Sequence, residues 1–199
     1  MRILVIGTGT IGRAVATALS AGNEIISASL RSATVKVDIA DPASIQRMYR
    51  SLGTLDAVVC AAGQAKFAPL VQLSDADFTF SLDNKLMGQV NVVRFGFEHV
   101  QDGGSFTLTA GSLAQAPMPG SAAVSLVNAG VEGFARAAAL EAPRRIRVNA
   151  VSPPWLTETL RALKMDLSAG LPAADVARAY VRSVTGTDTG SILKPSREP

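Results

Sequence analysis

The feature that most constrains this chain is a glycine pattern close to its first residue. An apolar run at 3–6 reads straight into Gly7-Thr8-Gly9-Thr10-Ile11-Gly12, and an alanine-rich stretch of helical period follows at 10–21. Glycines spaced G-x-G-x-x-G between a buried strand and a helix have a mechanical meaning. The first allows the tight turn, the second lets backbone approach a pyrophosphate, and the third lets helix and strand pack closely. The uncapped helix start then offers N–H groups and a positive dipole end to phosphate. Gly7, Thr8, Gly9, Thr10, Ile11 and Gly12 are therefore the expected phosphate turn of a dinucleotide site.

The rest of the chain alternates short apolar runs with longer helical ones, which predicts a doubly wound parallel sheet with helices on both faces, in a single Rossmann-type α/β domain. Strands are expected at 3–6, 24–29, 34–39, 55–60, 105–109 and 146–151, with a last edge strand at 190–194. Asp41-Pro42 predicts a helix running to about residue 52, with Asp41 as N-cap. Further helices are expected at 74–100, in one or two pieces, and at 121–141, where Val124, Val127, Val131, Phe134 and Ala138 form one stripe. Two more should follow the Pro153-Pro154 break, at 157–166 and 173–184. Gly103-Gly104 reads as a turn.

At 199 residues, 48% hydrophobic and 18% charged, the chain has the composition of a compact globule. A net charge of +3, spread along the sequence, gives no reason to expect a nucleic-acid partner. No apolar run reaches the roughly 18 residues a bilayer crossing needs. Residues 1–6 lack the order of charged, apolar and small residues of a secretory signal, and the single Cys60 cannot form an internal disulfide. A cytoplasmic protein with a small-molecule substrate and no membrane or nucleic-acid partner is expected.

The strand at 24–29 is followed by Leu30-Arg31-Ser32. No Asp or Glu stands there to hold a ribose 2′-hydroxyl, whereas Arg31 with Ser29 and Ser32 suits a 2′-phosphate. NADP is expected over NAD. Asp38 and Ile39 end the next strand near the expected adenine edge.

Four blocks in this order, the turn at 7–12, Val37-Asp38-Ile39, Ala61-Ala62-Gly63 and Arg147-Val148-Asn149-Ala150-Val151-Ser152-Pro153, resemble the short-chain dehydrogenases/reductases. The helical run Ala129-Gly130-Val131-Glu132-Gly133-Phe134 is similar to that family as well. The resemblance implies that Ala61, Ala62, Gly63, Pro153 and Leu156 also contact the dinucleotide. It implies a homodimer or homotetramer built through the helix at 121–141. It also implies an Asn-Ser-Tyr-Lys set, and here the chain departs from the pattern. Val124 falls at the Tyr position, Asn128 at the Lys position, Gly111 at the Ser position with Ser112 beside it, and Lys85 at the Asn position. The tyrosines, Tyr49 and Tyr180, have Gly53 and Val184 four residues on, so no Tyr-x-x-x-Lys occurs anywhere.

Lys85, Ser112 and Asn128 are the candidate catalytic residues. Lys85 is an acid or an anion anchor, Ser112 a donor to a carbonyl, and Asn128 a ribose contact. Trp155 is a candidate pocket wall, Cys60 a buried small residue, and His99 a surface residue at a helix end. An oxidoreductase with a non-standard site is expected. The alternatives are a non-redox isomerase, cyclase or dehydratase, or a non-catalytic cofactor-sensing subunit. No metal site is expected.

Overall fold

The computed structural model describes residues 1–31 and 33–197. Seven parallel strands form one sheet in the order β3-β2-β1-β4-β5-β6-β7: β1 Arg2–Ile6, β2 Glu24–Ser29, β3 Val35–Lys36, β4 Leu55–Cys60, β5 Val100–Thr109, β6 Arg147–Val151 and β7 Ile192–Leu193. Parallel pairing needs crossovers, and helices supply them on both faces: α1 Thr10–Leu19, α2 Pro42–Leu52, α3 Asp75–Ser81, α4 Gly88–Gly96, α5 Ala122–Glu141, α6 Thr157–Ala162 and α7 Ala173–Thr185.

A sheet covered on both faces buries both sets of alternating side chains. Ile3 and Val5 of β1 point with Ala57 and Val59 of β4 into a core shared with Val15, Leu19, Val176 and Tyr180 of α1 and α7. Leu4 and Ile6 point the other way with Val58 and Cys60, against Ile45 and Tyr49 of α2, Val92 and Val93 of α4, and Val131 and Ala135 of α5. Chain direction across the sheet reverses between β1 and β4. Loops leaving the C-terminal ends of these two strands diverge and open a crevice there.

Several boundaries differ from expectation, each for a local reason. The strand expected at 34–39 is only Val35–Lys36, because Asp38 Oδ1 accepts from Ala40 N at 2.9 Å and turns the chain off the sheet. Asp41 does cap α2, accepting from Ala43 N. The helix expected to reach residue 21 ends at Leu19, whose carbonyl accepts from Asn23 Nδ2 at 2.8 Å.

Gly103-Gly104 is not a turn into the strand. β5 begins at Val100 and takes up the two glycines as a bulge, its register jumping from Leu55↔Val100 to Ala57↔Ser105. Accordingly the helical run ends by His99, not at Val100. α6 stops at Ala162, not Asp166, since Lys164 takes a positive φ of 56° and Met165 N bonds Leu160 O at 2.9 Å. The last strand is two residues long, and α5 starts at Ala122.

Candidate functional site

The turn after β1 is set by glycines doing different things. Gly7 adopts φ +106°, and a Cβ there would sit 2.7 Å from Ala61 O. A Cβ on Gly12 would sit 1.8 Å from Gly7 O. Gly7, Gly12 and Ala61 thus form the packed underside of the turn, with Ala61 N bonded to Ile6 O at 2.8 Å. Gly9 is the opposite case: a Cβ there meets nothing within 4 Å. The first turn of α1, beginning at Thr10 and Ile11, has no side-chain cap and no acidic residue. Open space above Gly9 and uncapped N–H groups are what a pyrophosphate requires.

Beside this turn lies a cleft of about 400 Å³ whose wall includes Thr8, Gly9, Ser29, Arg31, Asp38, Ile39, Ala62 and Gly63. Residues that lie far apart in sequence are thereby brought together at the crevice between β1 and β4. Arg31 is exposed at its rim; Ser32 lies outside the described residues. Leu30, Gln64 and Asn84 complete the wall and were not singled out in the sequence. Asn84 Oδ1 accepts from Gln64 N at 2.7 Å, which holds the loop after β4.

A second cavity of about 330 Å³ is lined by Lys85, Ser112, Val124, Asn128, Pro153, Trp155 and Leu156 among others. The three candidate catalytic residues therefore share one wall. Pro153 and Leu156 border this cavity and not the Arg31 cleft. Gly63 and Gln64 border the cleft and also an outer space that Lys85, Val124 and Trp155 line in turn, so the two cavities are neighbours. Trp155 meets Phe67 edge-on, with ring centroids 6.5 Å apart.

Lys85 reaches the cavity by an irregularity. Between α3 and α4 the backbone widens into a π turn, Leu82–Met87, closed by Gly88 N to Asp83 O. Such a turn inserts one residue into the helical path and re-aims the side chains it carries. The Lys85 stem crosses Gly63, where a Cβ would lie 3.0 Å from Lys85 Cγ, and its ammonium donates to Ala110 O at 3.3 Å. Burial pushes Lys85 down to about 8, against the pull of the Cys60 thiol. Cys60 itself is fully buried, and burial pushes it up to about 12. Neutral at ordinary pH, it is a packing residue with no nucleophilic character.

Asn128 is 2% exposed, and its Oδ1 is a buried acceptor with no partner. Gly111 makes room for it: a Cβ there would lie 2.8 Å from Asn128 Nδ2. Val124, one turn earlier on α5, contributes only apolar surface.

Supports beneath the site were not legible in the sequence. The buried Gln89 takes both polar groups of the end of β5, accepting from Thr109 N at 2.7 Å and donating to Thr109 O at 2.9 Å. The hydroxyl of Thr109 faces Tyr180 and Cys60 O, away from the cavity. Glu132, 4% exposed, accepts from Gln115 Nε2 at 2.6 Å and from Ser152 Oγ at 2.9 Å. His99, expected at the surface, is half-buried and stacked on Tyr49, with ring centroids 5.1 Å apart and an interplanar angle of 9°.

A parallel seven-stranded sheet with a glycine turn at its switch point and a paired cavity beyond it defines an α/β protein of the Rossmann type. A family model described as enoyl-(acyl carrier protein) reductase matches residues 10–191, and the chain belongs to the short-chain dehydrogenase/reductase family. The protein lin1944 from Listeria innocua has the same fold with a TM-score of 0.94, at 41% identity and over 98% of both chains. A short-chain dehydrogenase from Burkholderia cenocepacia J2315, in complex with NADP, superposes with a TM-score of 0.84 at 24% identity, over 98% of this chain and 96% of that one. Among curated relatives, the hydroxynaphthalene reductase arp2 of Aspergillus fumigatus is 34% identical over 75% of this chain and 55% of its own. The chain thus spans about half the length of that relative.

Proposed function

We propose that this protein binds NADP(H) and acts as an oxidoreductase on a small organic substrate whose reduction needs little help from a protein acid. The observation that carries the reading is the junction at Gly63 and Gln64, which adjoins both the cleft of the glycine turn and Arg31 and the space in front of Lys85. When bound, the dinucleotide supplies hydride chemistry. This chain's own residues hold it and position the substrate. Gly9 and the first turn of α1 take the pyrophosphate, Arg31 the 2′-phosphate, Asp38 and Ile39 the adenine edge, and the orphaned Asn128 Oδ1 a ribose hydroxyl. The NADP-bound Burkholderia structure supports this choice of cofactor.

Lys85 and Ser112 face the polar, reacting end of the substrate, while Val124, Phe67 and Trp155 surround its apolar body. Without Tyr-x-x-x-Lys the site gives up the roughly 10²–10⁴-fold that a positioned acid contributes. Positioning alone can supply a comparable or larger part, about 7–11 kcal/mol. Quinones, iminium ions and activated enones fit that balance, and unactivated ketones do not. The name of the Aspergillus relative, a hydroxynaphthalene reductase, favours a flat ring system.

The same reading takes the protein as a cytoplasmic homodimer or homotetramer. Its support is the outer face of α5, where Leu126 is 48% and Leu140 90% exposed and Ala129, Gly133 and Ala137 lie exposed between them. Light scattering that gives a monomer mass at micromolar concentration would remove this part.

Calorimetry with NADPH and NADH tests the cofactor directly. The expected result is tighter binding of NADPH, with Arg31→Ala lowering its affinity to that of NADH. Equal affinity of the unaltered protein for the two would refute the Arg31 assignment. Binding of NADPH without turnover of any quinone, imine, enone or carbonyl would favour a non-redox enzyme on this fold.

A further inference from the structure

Lys85 is the one charged side chain in the wall of the 330 Å³ cavity among the described residues. Its ammonium donates to a single carbonyl, Ala110 O, at 3.3 Å, and among the described residues it forms no ion pair. The rest of the wall is mostly apolar: Phe67, Leu113, Val124, Pro153 and Trp155. The stem is seated closely against Gly63, where a Cβ would lie 3.0 Å from Lys85 Cγ, so the head is aimed rather than free. An amine held without a carboxylate partner against an apolar cavity is the arrangement that makes lysine a nucleophile.

We propose that Lys85 condenses with an aldehyde or ketone bound in this cavity and holds it as an imine. The lone pair of neutral Nζ adds to the carbonyl carbon, and the carbonyl π electrons move to oxygen, which takes a proton. Nitrogen gives up one proton to leave a neutral carbinolamine. The hydroxyl, protonated, departs as water while the nitrogen lone pair forms the C=N bond. The immediate product is the protonated imine, and when its nitrogen releases that proton it returns the one the departing hydroxyl took up. Amine and carbonyl thus become imine and water, with no change of oxidation state, and addition of water reverses every step. Ser112 and Thr159 line the same cavity, and their hydroxyls can pass the proton from nitrogen to oxygen.

Burial assists the first step, because it pushes the amine down to about 8 from its ordinary 10.5. At pH 8 about half of such amines are neutral, against roughly 0.3% of ordinary lysines. The protonated imine is electron-poor without any external acid. In a conjugated carbonyl it draws density from the far carbon as well. A covalent iminium thus provides the activation that this chain, lacking Tyr-x-x-x-Lys, does not obtain from a phenol.

Reductive trapping tests the step in the intact 199-residue chain with no dinucleotide present. Cinnamaldehyde and sodium cyanoborohydride are added, and peptides are mapped by mass spectrometry. The expected result is one secondary-amine adduct on Lys85, about tenfold above Lys36, Lys66, Lys164 or Lys194, as an activated amine requires. The initial rate of imine formation should rise with pH to a half-point near 8. Lys85→Met and Lys85→Arg should each lose the adduct, the second while keeping the charge. Even labelling of all lysines, an undiminished adduct in Lys85→Met, or a half-point near 10.5 would overturn the proposal. Since the dinucleotide is absent, failure here leaves the NADPH assignment standing, and failure of calorimetry leaves the imine standing.

Discussion

Glu132 Oε1 accepts a hydrogen bond from Ser152 Oγ at 2.9 Å, and this contact ties the helix that carries Val124 and Asn128 to the strand end that carries Pro153. The same carboxylate accepts from Gln115 Nε2, just beyond the short helical turn Ser112–Ala114. Three walls of the cavity are therefore referenced to one buried anion, which Arg136 approaches from the solvent side at 3.5 Å.

Removing that acceptor strands the buried Ser152 hydroxyl and releases the exposed Gln115 amide to water, at a cost of about 2–3 kcal/mol for Glu132→Ala. Glu132→Gln should lose less, about 1–2 kcal/mol, since the amide oxygen can still accept from Ser152 while its NH₂ opposes that of Gln115. Urea unfolding of both variants measures the order. An alanine variant as stable as the parent would show that Glu132 does not hold these walls together.

The glycines of the turn should separate folding from binding. Gly12→Ala forces a Cβ against Gly7 O, with backbone on both sides, so a loss of about 3 kcal/mol or more is expected. Gly9→Ala places its methyl in open space at an N-cap, where alanine costs about 1 kcal/mol at most relative to glycine. Its effect should fall instead on the dinucleotide, with affinity reduced about tenfold or more as the methyl meets the pyrophosphate. Thermal melts read the first effect and calorimetry the second. Undisturbed NADPH binding by Gly9→Ala would place the phosphates elsewhere.

Lys85 also predicts how stability depends on pH. Its amine sits near 8 in the folded protein and at 10.5 ordinarily, so between these values the unfolded chain binds more protons. Stability contributed through this group therefore rises with pH across 8 to 10.5, and the full penalty applies below 8. The titratable group facing Lys85 from β4, Cys60, stays neutral through most of that window. The residues facing it from α5 and from the end of β5, Val124, Asn128, Gly111 and Ser112, carry no charge. Lys85→Met should thus be more stable than the parent at pH 7, by about 1–3 kcal/mol, with the difference vanishing near pH 10.5. A variant less stable at pH 7 would show that the ammonium is well solvated.

The parts of this fold that were legible in the sequence are those where local chemistry decides. Gly7 and Gly12 are required by backbone contact within the turn itself, Asp41 caps α2 through its own side chain, and β4 is apolar throughout but for Asp56. The parts that were not legible depend on distant partners. Gly103 and Gly104 resemble a turn in any local reading, yet β4 holds them in a bulge. The π turn that aims Lys85 has no residue signature, and its side chains meet distant parts of the chain: Leu86 lies against Gly130, and Asn84 accepts from Gln64 N on the loop after β4. Gln89 and Glu132 read as ordinary polar helix residues until the sheet brings Thr109 and Ser152 beside them. Lys85, Ser112 and Asn128 are marked in the sequence by the family resemblance alone, and only the fold brings them to a common cavity.

Asn128 offers the sharpest separation of function from stability. Its Oδ1 is buried and unpartnered, and such an acceptor costs about 1–3 kcal/mol in the dinucleotide-free protein. A ribose hydroxyl donating to it, as proposed above, would supply the missing partner. Asn128→Leu, close in volume, removes the unpaired oxygen and should leave the free protein equally stable or up to about 1 kcal/mol more so. The same change should weaken NADPH binding about tenfold, the value of one hydrogen bond made in a dry site. Melting with and without NADPH measures both: the variant should start level with or above the parent and gain less on adding dinucleotide. If instead the variant were less stable when free and gained as much from NADPH, Asn128 would be a packing residue and the ribose would be held elsewhere.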